Sequence, residues 1–145
     1  MKLSSRSRYG LRAILDLALV YGKGPLQIKV IAAKEDISNK YLEQLMTILK
    51  TSGLVRSLRG PKGGYMLSRP PHEVKLNEVF TVLEGPLVTV ECLQHQEFSP
   101  QCVECITRQV WSDVQDAILG VLEAISLQDL VDRTRAVDNS DHYQI

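Results

Sequence analysis

Residues 36–68 read DISNKYLEQLMTILKTSGLVRSLRGPKGGYMLS, and the fold turns on this stretch. Ser38 is placed to cap a helix, because its hydroxyl can accept a hydrogen bond from one of the orphan N–H groups at a helix start. Behind it, Leu42, Leu45, Ile48 and Leu49 recur in steps of three and four, the period of an amphipathic helix. Gly53 ends that helix. Residues 54–58 and 65–68 alternate as strands do, and Arg59-Gly60-Pro61-Lys62-Gly63-Gly64 between them is turn chemistry. The pattern predicts a helix, then a hairpin with a basic, glycine-rich tip.

Upstream, a short helix is expected over about Ile28 to Lys34, with Ile28, Ile31 and Ala32 on one face. Asp36-Ile37-Ser38 turns it into the capped helix. Two helices joined by so short a turn form a helix-turn-helix, and the hairpin after it makes a winged helix. Residues 6–21 read as a first helix, ended by Gly22, Gly24 and Pro25. Only Arg12 and Asp16 interrupt its apolar character between Leu11 and Tyr21. That exceeds a single stripe, so this helix is expected to be deeply buried, or buried from two sides as at a subunit interface.

Downstream, Pro70-Pro71 closes the unit. A helix over about Leu76 to Leu83 precedes Gly85-Pro86, and residues 85–101 read as a loop around Cys92. A long helix follows from about Cys102 to Ile125. In it Trp111, Val114, Ile118, Val121, Leu122 and Ile125 form a sustained stripe like a coiled-coil seam. Ser126 is expected to cap a last short helix carrying Leu127, Leu130 and Val131, and the chain from Arg133 reads as a fraying polar tail. The expected fold is mainly α with a small β-hairpin: a winged helix-turn-helix DNA-binding domain plus a long dimerisation helix. The expected divisions are 1–75 for the winged helix, 76–133 for the cysteine loop and dimerisation helix, and 134–145 for the polar tail.

Composition agrees with an ordinary globular chain. The 145 residues are 44% hydrophobic and 23% charged, which argues against wholesale disorder. The longest apolar run is Leu17 to Tyr21, far short of a membrane span. The opening Met-Lys-Leu-Ser-Ser-Arg-Ser-Arg lacks the apolar core of a secretory signal, so a cytoplasmic protein is expected. Net charge is zero, but residues 1–75 carry 14 basic and 5 acidic side chains, a net of +9, and residues 76–145 carry a net of −9. The positive half suits nucleic acid, where phosphate contacts release counterions.

The chemistry-bearing residues follow from this frame. Ser38, Asn39, Lys40, Tyr41, Glu43, Gln44 and Thr47 lie at the start or on the polar face of the second helix of the pair. A recognition helix presents such a face to base edges in the major groove. Arg59, Gly60, Pro61 and Lys62 form the tip of the wing, which lacks the spacing of a phosphate-binding nucleotide loop and suits insertion into a narrow, electronegative minor groove. Lys2 is expected to be a further phosphate contact. Cys92, Cys102 and Cys105 are the only cysteines. Their C-x9-C-x2-C spacing fits iron–sulfur ligation, zinc with a fourth ligand, free thiols, or a Cys102–Cys105 redox pair. A small redox enzyme built on that pair would lack a βαβ setting and leave the basic half unexplained. No Ser/His/Asp set or paired carboxylates suggests catalysis, so no enzyme is expected.

With these residues in place, the sequence resembles the bacterial winged-helix regulators of the IscR type, in the Rrf2 superfamily. The likeness is carried by Met1-Lys2-Leu3-Ser4 with Arg8-Tyr9-Gly10-Leu11-Arg12-Ala13, by Tyr41-Leu42-Glu43-Gln44-Leu45, and by Leu54-Val55 through Arg59-Gly60-Pro61-Lys62-Gly63-Gly64-Tyr65. The three cysteines and Trp111 follow in the expected region. The resemblance covers about residues 1–133. It implies a homodimer paired through the long helix on a pseudo-palindromic double-stranded operator. It also implies an iron–sulfur cluster, 2Fe–2S by preference, that tunes DNA affinity, and a role for Glu43 in telling operator classes apart. Two positions depart from the pattern. The His three residues after the last cysteine is replaced by Arg108, and the first-helix ligand of some relatives falls at Arg8. The fourth ligand is thus unassigned, with His95 a candidate beside Glu91, Glu97 and Glu104. The alternative is control by thiol redox, zinc or a partner protein without a cluster.

Overall fold

The computed structural model describes residues 2–86 and 106–142. Helix α1 spans Ser5–Leu19, α2 Ile28–Glu35 and α3 Asn39–Thr51. Strands β1, Val55–Leu58, and β2, Gly64–Leu67, pair antiparallel with Val55 opposite Leu67 and Leu58 opposite Gly64. A single 3-10 turn at Pro71–Glu73 leads to α4, Leu76–Glu84, and then come α5, Ile106–Ala124, and α6, Leu127–His142. The winged helix-turn-helix read from the sequence is present. The loop expected at 85–101 lies, from residue 87 on, outside the described residues, as does the expected start of the long helix at Cys102.

One hydrophobic core joins the helices and both strands, with α5 contributing Leu122, partly buried against it. It contains Ala13, Ile14 and Leu17 of α1, Ile31 of α2, Leu42, Leu45, Met46 and Leu49 of α3, Val79 and Leu83 of α4, and Leu127 and Val131 of α6. The apolar excess of α1 has its reason here: the helix runs through the middle, against α2, α3, α4, α6 and β2. Each of these large side chains contributes about 1.5–3 kcal/mol as an upper figure when fully buried. Where α1 crosses α4 there is no room for a side chain. A Cβ on Gly10 would sit 2.6 Å from Cδ1 of the buried Leu83. Gly10→Val should therefore destabilise the fold by about 1–3 kcal/mol through overpacking, read as a lower urea midpoint. An unchanged midpoint would show that Leu83 has space to retreat.

The junction between α5 and α6 is fastened to the winged unit by backbone bonds. Leu76 N donates to Ile125 O and Leu127 N to Val74 O, both at 2.9 Å. Ser126 caps α6 as the sequence predicts: Asp129 N donates to its hydroxyl at 3.2 Å, and Ser126 N donates to the Asp129 carboxylate at 2.8 Å. This reciprocal box holds the Asp129 carboxyl below its ordinary pKa through both Ser126 bonds. The expected fraying from Arg133 is not found. The helix continues to His142, because residues 127–142 contain no Gly or Pro and Thr134 and Ser140 return their hydroxyls to the carbonyls of Leu130 and Ala136.

Candidate nucleic-acid interface

The start of α3 is built by its cap. Ser38 has extended backbone and accepts from Tyr41 N at 3.1 Å. Just before it Asp36 adopts a left-handed conformation, φ 55°, which lets α2 close tightly onto α3; Asp and Asn tolerate that region better than most residues. Leu42, Leu45, Met46 and Leu49 anchor one face in the core. The opposite face then points outward of necessity, and Asn39, Lys40, Glu43, Gln44 and Thr47 are all exposed.

The candidate readers are not equivalent. Ser38 is occupied by its cap, and the Thr47 hydroxyl donates back to Glu43 O at 2.8 Å. Tyr41 is half-buried: its hydroxyl lies 3.3 Å from Ser5 Oγ, and its ring meets Tyr9 edge-on with centroids 6.2 Å apart. Arg12 in turn lies over the Tyr9 ring at 5.7 Å, a cation–π contact. The side chains of Asn39, Lys40, Glu43 and Gln44 make no hydrogen bond or ion pair among the described residues, so their polar groups are available to a ligand. Gln and Asn can pair with adenine edges, and a Glu carboxylate accepts from cytosine while repelling phosphate.

The Tyr41–Ser5 contact brings the start of α1, with exposed Lys2, Arg6 and Arg8, beside the start of α3. A second device fixes that end of α1. Ser4 donates to Glu84 Oε1 from its backbone N at 2.8 Å and from its hydroxyl at 2.6 Å. The hydrogen bonds from Ser4 hold the Glu84 carboxyl below its ordinary pKa. Sequence reasoning missed Ser5, Tyr9 and Glu84 as supports of this surface. At the wing tip Arg59, Gly60, Pro61 and Lys62 are exposed, and neither cation has an ion-pair partner among the described residues. Gly60, φ 105°, supplies the left-handed turn there.

Cys92, Cys102, Cys105 and His95 lie outside the described residues, as do Glu91, Glu97 and Glu104. Among the described residues no group of three His, Cys, Asp or Glu side chains is arranged to hold a metal ion. Arg108 is half-buried in the first turn of α5. A guanidinium stays protonated, so it cannot ligate where a histidine would. On α5 no described residue is buried. Ile106, Val110, Val114 and Val121 are 83%, 52%, 40% and 58% exposed. No described helix is long and apolar enough to cross a membrane.

Comparison with known proteins places this geometry in a family. The model of the Rrf2 family, described as iron-dependent transcriptional regulators, matches residues 3–133. The transcriptional regulator CymR of Bacillus subtilis is 39% identical over 134 residues, covering 92% of each chain. Its structure, described as that of the global cysteine regulator, superimposes with a TM-score of 0.80 over 92% of this chain and 98% of that one, at 38% identity. The regulator IscR of Photorhabdus laumondii is 38% identical over 138 residues, 95% of this chain and 84% of that protein. The structure of IscR from T. potens gives a TM-score of 0.75 at 35% identity, covering all of this chain and 92% of that one.

Proposed function

This chain belongs to the Rrf2 family of transcriptional regulators, and on that premise we propose that it is a homodimeric, operator-binding regulator whose DNA affinity is set through Cys92, Cys102 and Cys105. Its relatives are named as regulators and not as enzymes. The observation that carries the DNA reading is the division of α3 into a buried face and an exposed face, with Asn39, Lys40, Glu43 and Gln44 unengaged on the latter. In this reading those side chains meet base edges, and Arg59 and Lys62 meet the minor groove and phosphates, with Lys2. A regulator works where its operator is, so cytoplasmic placement belongs to the same proposal. The second subunit covers α5, since four of its aliphatic side chains are 40% or more exposed in the single chain, and contiguous apolar surface of that kind marks an interface.

For the cysteines we favour an iron–sulfur cluster. The donor set supplies three thiolates, the ligands such clusters prefer, within a family described as iron-dependent. Arg108 cannot complete the set, so the fourth ligand is a weaker or oxygen donor. When bound, the group would add a centre that oxygen or iron supply can remove. A second reading, thiol control without a cluster, is favoured by the likeness to a protein described as a cysteine regulator. Replacing each cysteine by serine and reconstituting without oxygen separates the two. The cluster reading expects each variant to lose visible absorption and bound iron and sulfide, with operator affinity changing in step. A full iron and sulfide complement in all three variants would contradict ligation by these cysteines, and a parent protein that takes up no iron or sulfide while its operator affinity responds to thiol oxidation would establish thiol control instead.

A further inference from the structure

The wing tip is held from outside the hairpin. β1 and β2 pair over only four residues each, and a two-stranded hairpin is marginal alone. Leu26 closes the outer edge of β2: Leu26 N donates to Tyr65 O and Tyr65 N donates to Leu26 O, both at 2.8 Å. Gly64 permits this approach, because a Cβ there would lie 2.5 Å from the Leu26 carbonyl oxygen.

The next residue, Gln27, stands at the N-cap of α2. That position is normally filled by a short side chain that accepts from the helix's own first N–H groups. Gln27 makes no such bond. Its Nε2 instead donates to the Pro61 carbonyl at the wing tip, at 3.2 Å. The loop is also closed internally, with Gly63 N donating to Gly60 O at 3.0 Å. A helix start that forgoes its local cap, and directs the side chain to an exposed loop 34 residues away, departs from local consistency in a way that marks functional positions.

We propose that Gln27 is a positioning residue for DNA binding. Its amide fixes Pro61, and with it the flanking Arg59 and Lys62, in the orientation in which the tip meets the duplex. The inference rests on the reading of the wing as a groove contact. A tip ordered before binding loses less conformational entropy when it docks.

The test uses Gln27→Ala and the donor-free, similarly shaped Gln27→Met in the full-length protein. Both should leave the oligomeric state and unfolding midpoint unchanged and weaken binding to a selected operator about 3- to 10-fold, the scale of one hydrogen bond. In an Arg59→Ala, Lys62→Ala background Gln27→Ala should add nothing, because Gln27 acts only through the tip. In the DNA-free protein, amide order parameters of Gly60 and Lys62 should fall in Gln27→Ala. A further loss of affinity in that double-variant background would make Gln27 a direct DNA contact and overturn the proposal. Unchanged order parameters would overturn it too, while leaving the wing's DNA contact intact. If Arg59→Ala itself has no effect on binding, the underlying wing reading fails.

Discussion

Ile118→Asp should turn the protein into a monomer. Ile118 lies half-buried on α5, on the same stripe as Val114 and Val121, which are 40% and 58% exposed in the single chain. Against a partner helix the introduced carboxylate would be buried without a counter-charge, which typically costs several kcal/mol. Val121→Asp is the companion variant. Its site is exposed in the monomer, so the change leaves the core of one chain untouched. Sedimentation should show both variants as monomers with near-native helix content. An intact dimer in both would place the interface away from α5. Because each subunit carries one winged helix, monomers should also lose most operator affinity.

The second large effect is expected at the wing. Arg59 is exposed and has no ion-pair partner in the described structure, so removing it leaves no orphaned group behind. Arg59→Ala should reduce operator affinity about 10- to 100-fold, the scale of one well-placed Arg contact with DNA. The fold should be unchanged. Lys62→Ala should act more weakly and equally on all sequences, and should lower the salt slope by about one. The contrast between them separates groove insertion from simple phosphate attraction. Equal, sequence-independent losses would reduce the wing to a phosphate clamp.

Much of the fold was legible because its signals are local. The cap at Ser38, the three- and four-residue spacing of Leu42, Leu45 and Leu49, and the glycines of the tip each act within a few residues. Together they define α3 and the hairpin. Met46 carried the same periodic signal and belongs to the core, although only its neighbours were read that way. The extension of α6 was missed because its last turns have no apolar stripe. Helix there rests on the absence of breakers and on bonds from side chains to carbonyls four residues back. The apolar excess of α1 left two readings open, and the packing of four helices around it answers to deep burial within one chain.

The supports of the interface were not legible at all. Glu84 meets Ser4 across 80 residues, Tyr41 meets Ser5 across 36, and Gln27 meets Pro61 across 34. A single hydrogen bond between distant residues leaves no period and no motif. The division of labour within α3 was hidden for a related reason. Composition shows that Tyr41, Thr47 and Gln44 are all polar. Only the fold shows Thr47 turned onto its own backbone and Tyr41 packed against α1, with Gln44 left for a ligand.

The central claim is that two winged helices read one DNA site through α3 and the wing. Selection of binding sites from random duplex DNA by the purified protein, repeated with Gln44→Ala, tests it most directly. The account predicts enrichment of a two-fold symmetric sequence with half-site centres about one helical turn, roughly 10 bp, or a multiple of it apart. It also predicts that Gln44→Ala relaxes the preference at the same position in both half-sites while other positions keep theirs. A selected pool without symmetry, or an identical preference for the protein and Gln44→Ala, would contradict it.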